Sequence, residues 1–368
     1  MYPKIVLGIF VTSTVVQLSY WLVLFVRLLR PPFQEKNKDS ELPDISILIA
    51  ARNELHNLKN NISRILNQNY HSHQVIVVND NSTDASAELL LHTQETNANF
   101  TFVNAHYHHG GGNKKAALTQ GIHTSKTDVL LLTDADCCPA SVNWAKKMIS
   151  ALTPDKDFVL GYGPYNKRPG LLNKLIRFDT LMIAIQYGSM AITGQAYMGV
   201  GRNLVYRKSL FEMTNGFDNH KSLLSGDDDL FVQSAATNLN VALMFEPEAF
   251  VYSEPKDSYS AFLKQKIRHI STATSYKLRH KILLGLFALT LLLHYVGGIT
   301  LLLLKVWMPI VVSLLIVRMT VSWIIGSRLA GKFHEKDLQL WFPLLEASYL
   351  INQMILTTTL TTKPTSWK

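Results

Sequence analysis

The sequence predicts an α/β domain, a mostly parallel sheet with helices on both faces, set between apolar helices at the two ends of a 368-residue chain. Three observations predict it. From residue 44 onward, short apolar runs of strand length alternate with stretches of helical spacing, the rhythm of βαβ units. Two of these runs end in acids, Asn79-Asp80 and Thr133-Asp134-Ala135-Asp136, as strands do at the carboxyl edge of an open sheet, where ligands bind. Residues 5 to 26 and the region after 282 are lipid-like, whereas 31 to 280 has an ordinary soluble composition.

Taken in order, Ile5 to Val26 is a run of about 20 mostly apolar residues, with Tyr20 and Trp21 near one end and Arg27 and Arg30 beyond. It reads as one membrane span. No small-x-small cleavage site follows it, which favours an uncleaved anchor over a signal peptide. Residues 31–43 form a polar, Pro-flanked linker. Strands are expected at Ile45 to Ala51, Val75 to Val78, Phe100 to Val103 and Val129 to Leu132, with helices at Leu55 to Leu66, from about Thr83, and from Lys114 to about His123. A helix beginning near Pro139 gives Asp136 a bland role as its cap. Asn143 to Leu152 reads as a helix, Phe158 to Tyr162 and Leu204 to Tyr206 as strands, and Leu171 to Met190 as a helix either buried or lying in a membrane interface. Thr193 to Asn203, with three glycines, is a loop suited to close backbone contacts. Ser225 to Leu230 opens another helix, Ser260 to Lys281 is a basic amphipathic one, and Ile282 to Leu304, Val306 to Ile325 and the more polar Leu338 to Leu360 are further apolar segments. The organisation is therefore an anchor (1–30), a linker (31–43), a soluble domain (44–281) and a C-terminal membrane region (282–368).

Net charge is +9. The basic residues gather beside the apolar segments, the habit of membrane proteins, so nucleic-acid binding is not expected. Arg27, Arg30, Lys277, Arg279, Lys281, Arg328, Lys332 and Lys336 fall on one side of the spans and Lys305 alone on the other, which places the soluble domain in the cytoplasm. The only cysteines, Cys137 and Cys138, are adjacent, a poor geometry for a disulfide, and fit a reduced setting.

Candidate chemistry lies in a few residues. Asp134 and Asp136, two apart where a strand leaves the sheet, can hold one hard divalent cation bridging a diphosphate. Asp80, at a second strand end, either accepts hydrogen bonds from a base or ribose or caps a helix. Lys114 opens a helix after Gly110-Gly111-Gly112, a place that welcomes phosphate. His106, His108 and His109 lack partners at metal spacing and read as a wet loop. Asp227, Asp228 and Asp229 repel one another, which raises at least one pKa and suits the group to take a proton from an alcohol. Gln265 and Arg268 share a helix face; Arg268 either pairs with a phosphate or, with Lys264, Lys266 and Arg279, rests on lipid head groups, and spacing alone favours the lipid.

Ala51-Arg52-Asn53-Glu54, Asn79 to Asp84, Lys114 before Ala116-Ala117-Leu118, Thr133 to Asp136, Thr193-Gly194 to Arg202, Gly226 to Leu230 and Gln265 to His269, in this order, resemble the family 2 glycosyltransferases, enzymes with a GT-A nucleotide-sugar-binding fold. The resemblance covers about residues 44 to 270. It implies a metal-dependent, inverting transferase that uses Mg²⁺ or Mn²⁺. Arg52, Glu54, Asp80, Lys114 and Asp134 would bind a nucleotide-sugar donor, UDP-linked in expectation, and Asp136 with Asp134 the metal. Asp227 stands at the place of the catalytic base, with Asp228 the second choice. Gly194, Arg202, Gln265 and Arg268 would face the acceptor and diphosphate. Gln265 and Arg268 resemble the QxxRW motif of polysaccharide synthases, but His269 replaces the tryptophan. The expected acceptor is a lipid-linked or growing glycan at the cytoplasmic membrane face. A processive β-polysaccharide synthase is the alternative, and an inactive nucleotide-binding membrane scaffold the alternative of another class.

Overall fold

The computed structural model describes residues 2–30, 42–106, 113–223 and 225–358. Helix α1 (Tyr2–Ser19) runs on through a π turn (Tyr20–Leu24) and a 3₁₀ turn (Phe25–Leu29). The domain that follows is built from β1 (Ile45–Ala51), α2 (Leu55–Leu66), β2 (His73–Asn79), α3 (Ser86–Thr96), β3 (Phe100–Asn104), α4 (Lys114–Thr124), β4 (Val129–Asp134), β5 (Cys137–Pro139), α5 (Trp144–Ser150), β6 (Phe158–Gly161), α6 (Leu171–Ile192), β7 (Leu204–Arg207), α7 (Lys208–Met213), α8 (Asp229–Ala235), β8 (Val241–Met244) and β9 (Val251–Ser253). The chain ends in α9 (Tyr259–Ile270), α10 (Leu278–Leu303), α11 (Met308–Lys332) and α12 (Phe342–Thr358).

Seven strands form one sheet in the order β3-β2-β1-β4-β7-β6-β8. β1 to β4 are mutually parallel, with Leu48 opposite Ile76 on one side and Leu132 on the other. β7 runs antiparallel to both β4 and β6, so the sheet is mixed beyond β4. Every residue of β1 is buried, because Ile45, Ile47 and Ile49 enter one core and Leu48 and Ala50 the other. This two-sided burial is why the early strands read as unbroken apolar runs.

α6 is the buried alternative of the two open to it. It lies against the sheet through Tyr187 and Phe245 and against the terminal helices through Phe178 and Phe342. Arg177, 1% exposed, ties it to the turn after α11 by hydrogen bonds to Glu335 and Asp337. Asn203 locks the sheet's far half from below: its Nδ2 donates to the carbonyls of Tyr162 and Ala249, each at 2.8 Å, and its Oδ1 accepts from Trp144 Nε1 at 3.0 Å. Asn203→Ala strands three buried polar groups and is expected to cost about 2–4 kcal/mol, read as a lower midpoint in denaturant unfolding.

Several sequence expectations change. The stretch 260–281 is not one helix: α9 ends at Ile270, a 3₁₀ turn follows (Ser271–Ser275), and α10 starts at Leu278. The break lets Thr272 and Tyr276 turn inward to donate to Asp229. After Asp136 the chain enters β5, paired antiparallel with β9, and no helix begins until Trp144, so Asp136 caps nothing there. β8 and β9 were not expected. The linker 31–43 and the histidine loop lie mostly outside the described residues.

Among the described residues, three helical stretches are long and apolar enough to cross a membrane: Tyr2–Leu29, Leu278–Leu303 and Met308–Lys332. α12, of which 17 residues are described, buries Glu346, Tyr349 and Asn352 and is not among these three. A polar cluster joins these helices. Arg318 of α11 pairs with Glu346 and donates to Gln17 Oε1 at 2.6 Å, while Gln17 donates to Thr290 and Tyr295 to Glu346. Such charges in apolar surroundings persist only when paired.

Candidate active site

The sheet's carboxyl edge collects the acids. β4 ends in Asp134, Ala135 turns inward, and Asp136 projects into a cleft of about 1340 Å³. One ligand atom from each of Asp134, Asp136 and Cys137 lies within 4.8 Å of the others. Burial and the charge of Asp136 push the Cys137 thiol up, so it keeps its proton and donates to Asp136 at 3.3 Å. That leaves two carboxylates, hard oxygen donors that fit Mg²⁺ or Mn²⁺ and not a thiol-loving metal. Crowding by protein and then the neighbouring Asp134 raise the Asp136 carboxyl, a strain that a cation would relieve.

Lys114 connects this pair to the second acidic group. Its Nζ is 2.9 Å from Asp134 Oδ1 and 3.0 Å from Asp227 Oδ2. The helix it opens is held in place from below. Asn113 caps α4 by accepting from the Ala116 amide at 3.1 Å, and Asp80, fully buried, accepts from the Asn113 amide at 2.8 Å. Lys115 faces the other way, donating to the carbonyls of His220 and Leu223 at 2.6 and 2.8 Å.

The three consecutive aspartates have separate environments. Burial would raise Asp227, but Lys114 overrides it and lowers the carboxyl. Asp228 accepts from the Gly201 and Asp229 amides, each at 2.8 Å, and is pushed up to about 7 by burial and by Asp227 and Asp229. A Cβ at Gly201 would sit 3.2 Å from Asp228, so the loop approaches this closely because it is glycine there. Asp229 caps the Leu230 amide at 2.7 Å and accepts from Tyr276 at 2.7 Å, which makes it a structural member.

The opposite wall is cationic. Arg202 lies over the Tyr165 ring, 4.7 Å from its centre, and donates to the Gly163 carbonyl. Gln265 donates to the Tyr165 hydroxyl at 3.1 Å. Arg268 and His269 line the same cleft, and α9 is fixed by the buried pair Lys266–Asp179 at 2.6 Å. Desolvation in the cleft, with Arg268 and Lys266 beside it, holds His269 well below the usual imidazole range and therefore neutral.

Of the residues expected to act together, Glu54, Lys114, Asp134, Asp136, Arg202, Asp227, Asp228, Gln265 and Arg268 share this one cleft. Gln265 and Arg268 both line it. Asp80 is buried and, like Arg52, is not among the residues that line the cleft, and Gly194 ends α6 in a left-handed turn against Asn238. Sequence reasoning passed over Tyr165, Asp179 and Tyr276. No spacing rule marks them, because each acts on a residue far away in the chain.

The sequence profile described as "Glycosyl transferase family 2" matches residues 46–214. A probable glycosyltransferase, YdaM, of Bacillus subtilis is 26% identical over 243 residues, which is 65% of this chain and 56% of that one. A poly-beta-1,6-N-acetyl-D-glucosamine synthase of Staphylococcus aureus is 34% identical over 125 residues, 32% of this chain. The matched region thus spans about half of the first relative's length and 29% of the second's. Among solved structures, the mannosyltransferase PcManGT of Pyrobaculum calidifontis, in complex with GDP-Man and Mn²⁺, superposes with a TM-score of 0.58 at 16% identity, over 96% of this chain and 98% of that one. With the mixed sheet and its acidic edge, these findings show a GT-A-like fold whose residues 46–214 are similar to the family 2 glycosyltransferases.

Proposed function

We propose that the chain is an inverting glycosyltransferase that moves a sugar from a nucleotide-sugar donor, UDP-linked or closely similar, to a lipid-linked or glycan hydroxyl at the cytoplasmic membrane face. The observation that carries this reading is Lys114, which bridges Asp134 to Asp227 and so joins a cation-binding edge to a proton acceptor. The relatives, a polysaccharide synthase and a mannosyltransferase in complex with GDP-Man, support a nucleotide-sugar donor.

Asp136 and Asp134 would hold Mg²⁺ or Mn²⁺, which would supply positive charge to the departing diphosphate. Lys114, Arg202 and Arg268 add protein charge on the same leaving group. Glu54, buried at the rim and bonded through its amide to Ser86, would meet the nucleoside. Asp80 serves the donor through α4, by setting where Lys114 emerges. In the structure Lys114 holds the Asp227 carboxyl down. A diphosphate competing for that lysine frees Asp227 beside Asp228, and its proton affinity rises. Asp227 then takes the acceptor's proton as the hydroxyl attacks the anomeric carbon from the face opposite the nucleotide, which inverts the centre.

Because the base must be free of its proton and gains proton affinity from an ionised Asp228, transfer is expected to rise with pH through about 7, to which burial and the neighbouring aspartates push the Asp228 carboxyl up. Initial rates from pH 5.5 to 8.5 check the sign. The assay that tests the reading as a whole uses purified protein in detergent with Mg²⁺ or Mn²⁺ and a panel of UDP- and GDP-sugars. One or a few donors should release nucleotide; folded protein that releases none contradicts the proposal.

A further inference from the structure

The cleft does not stop at the acids. It continues between α10 and α12, where beyond Lys281 its lining carries no charge and is mostly apolar. On α10, Lys281, Leu284, Gly285 and Ala288 recur at the spacing of one helix face, and all four line the cavity. The stripe begins with Lys281, whose Nζ donates to the Thr274 carbonyl at 2.6 Å, and proceeds into a helix long and apolar enough to cross a membrane. Facing it on α12 are Tyr349, Gln353, Leu356 and Thr357. Gly285 leaves a slot in this wall: a Cβ there meets nothing within 4 Å. Small residues next to an open space, inside an otherwise bulky Leu and Phe segment, leave room for a chain that is not the protein's own.

We propose that the acceptor is an amphiphile whose apolar chain lies in the slot between α10 and α12, with its hydroxyl-bearing head at Asp227. This rests on the glycosyltransferase reading and narrows its acceptor to a lipid. A soluble glycan would need more polar partners than Gln353 and Thr357 along this wall; a hydrocarbon chain needs the surface that Leu284, Ala288 and Leu356 provide. The chain enters sideways from the bilayer, and Lys281 sits where an anionic or polar head would meet the cleft.

The test uses the full chain in nanodiscs, a donor identified by nucleotide release, and a panel of alkyl hexosides that share one head and range from methyl to decyl. KM should fall at least about tenfold from methyl to decyl while kcat changes little, since each buried methylene adds affinity. Gly285→Leu fills the slot and is expected to shrink that preference to threefold or less. The ratio is read within one preparation, so loss of folded protein cancels, and simple partitioning of decyl hexoside into lipid would leave it unchanged. A KM independent of chain length, or a preference that survives both Gly285→Leu and Ala288→Trp, overturns the proposal. If no hexoside head is accepted, a decyl diazirine probe decides. Labelling at Leu284, Ala288 or Leu356 supports the slot, and labelling confined to the outward residues Ile282, Leu286 and Leu289 overturns it. Absence of nucleotide release from every donor would instead overturn the transferase reading.

Discussion

Asp227→Asn is expected to lower sugar transfer by about 10²–10⁴-fold, the usual contribution of a positioned general base, while the affinity for the donor stays within a few fold. The amide keeps the shape and still fills the space beside Lys114, but it has no site for a proton. Asp228→Asn has a different signature. Asp228 accepts from the Gly201 and Asp229 amides and acts on its neighbour by charge, so its neutral replacement lowers the proton affinity of Asp227. The acid limb of the pH profile should move below 7, with the rate at pH 8 retained within about tenfold. Single-turnover transfer and donor titration on the two variants separate the roles. Full transfer by Asp227→Asn, or the two signatures exchanged, removes Asp227 from the base position.

Lys114→Met is expected to be damaging twice over. It removes a cation from the leaving group, with a loss of about 10²-fold or more in nucleotide release. It also leaves Asp134 and Asp227 facing each other with no charge between them, at 32% and 8% exposure. Removing one partner of a largely buried pair costs about 3 kcal/mol. The sign with pH follows from the direction of the Asp227 shift. A carboxyl lowered by folding stabilises the native state above its unfolded pKa and loses that contribution as pH falls through the lowered value. The difference between wild type and Lys114→Met should therefore be full at pH 7 and shrink in strong acid. Lys114→Arg should recover most of the stability and only part of the rate, since a guanidinium is a fork and not a point charge. Thermal melts at pH 7 and pH 3, with release assays on the same samples, measure both.

The parts of this fold legible in the sequence are those where one physical demand fixes several residues. β1 and β4 are buried on both faces, so Ile45 to Ala51 and Val129 to Leu132 could only be apolar runs. The acids that end β4, the lysine that opens α4 and the aspartates before α8 were readable because strand ends and helix starts carry them to the same edge. What escaped detection is short or distant. β8 and β9, four and three residues long, offer too little pattern to register. The break between α9 and α10 is set by Tyr276 and Thr272 reaching back to Asp229, and the seat of α9 by Lys266 finding Asp179. Pairings of this kind depend on which helices meet, and no local periodicity encodes that. Asp80 is the instructive case. Its position at a strand end was correctly read, yet the structure buries it behind the cleft, where it holds the Asn113 amide.

The claim that Asp134, Asp136 and Lys114 form one site for a cation and a diphosphate is open to direct calorimetry. UDP and GDP are titrated into the purified full chain with and without Mn²⁺, and again into Asp136→Asn. The cation should tighten binding of one nucleoside diphosphate at least about tenfold in the wild type, a coupling of roughly 1.4 kcal/mol, and that gain should vanish in the variant. Equal affinity with and without Mn²⁺, or a gain untouched by Asp136→Asn, would contradict the site as described.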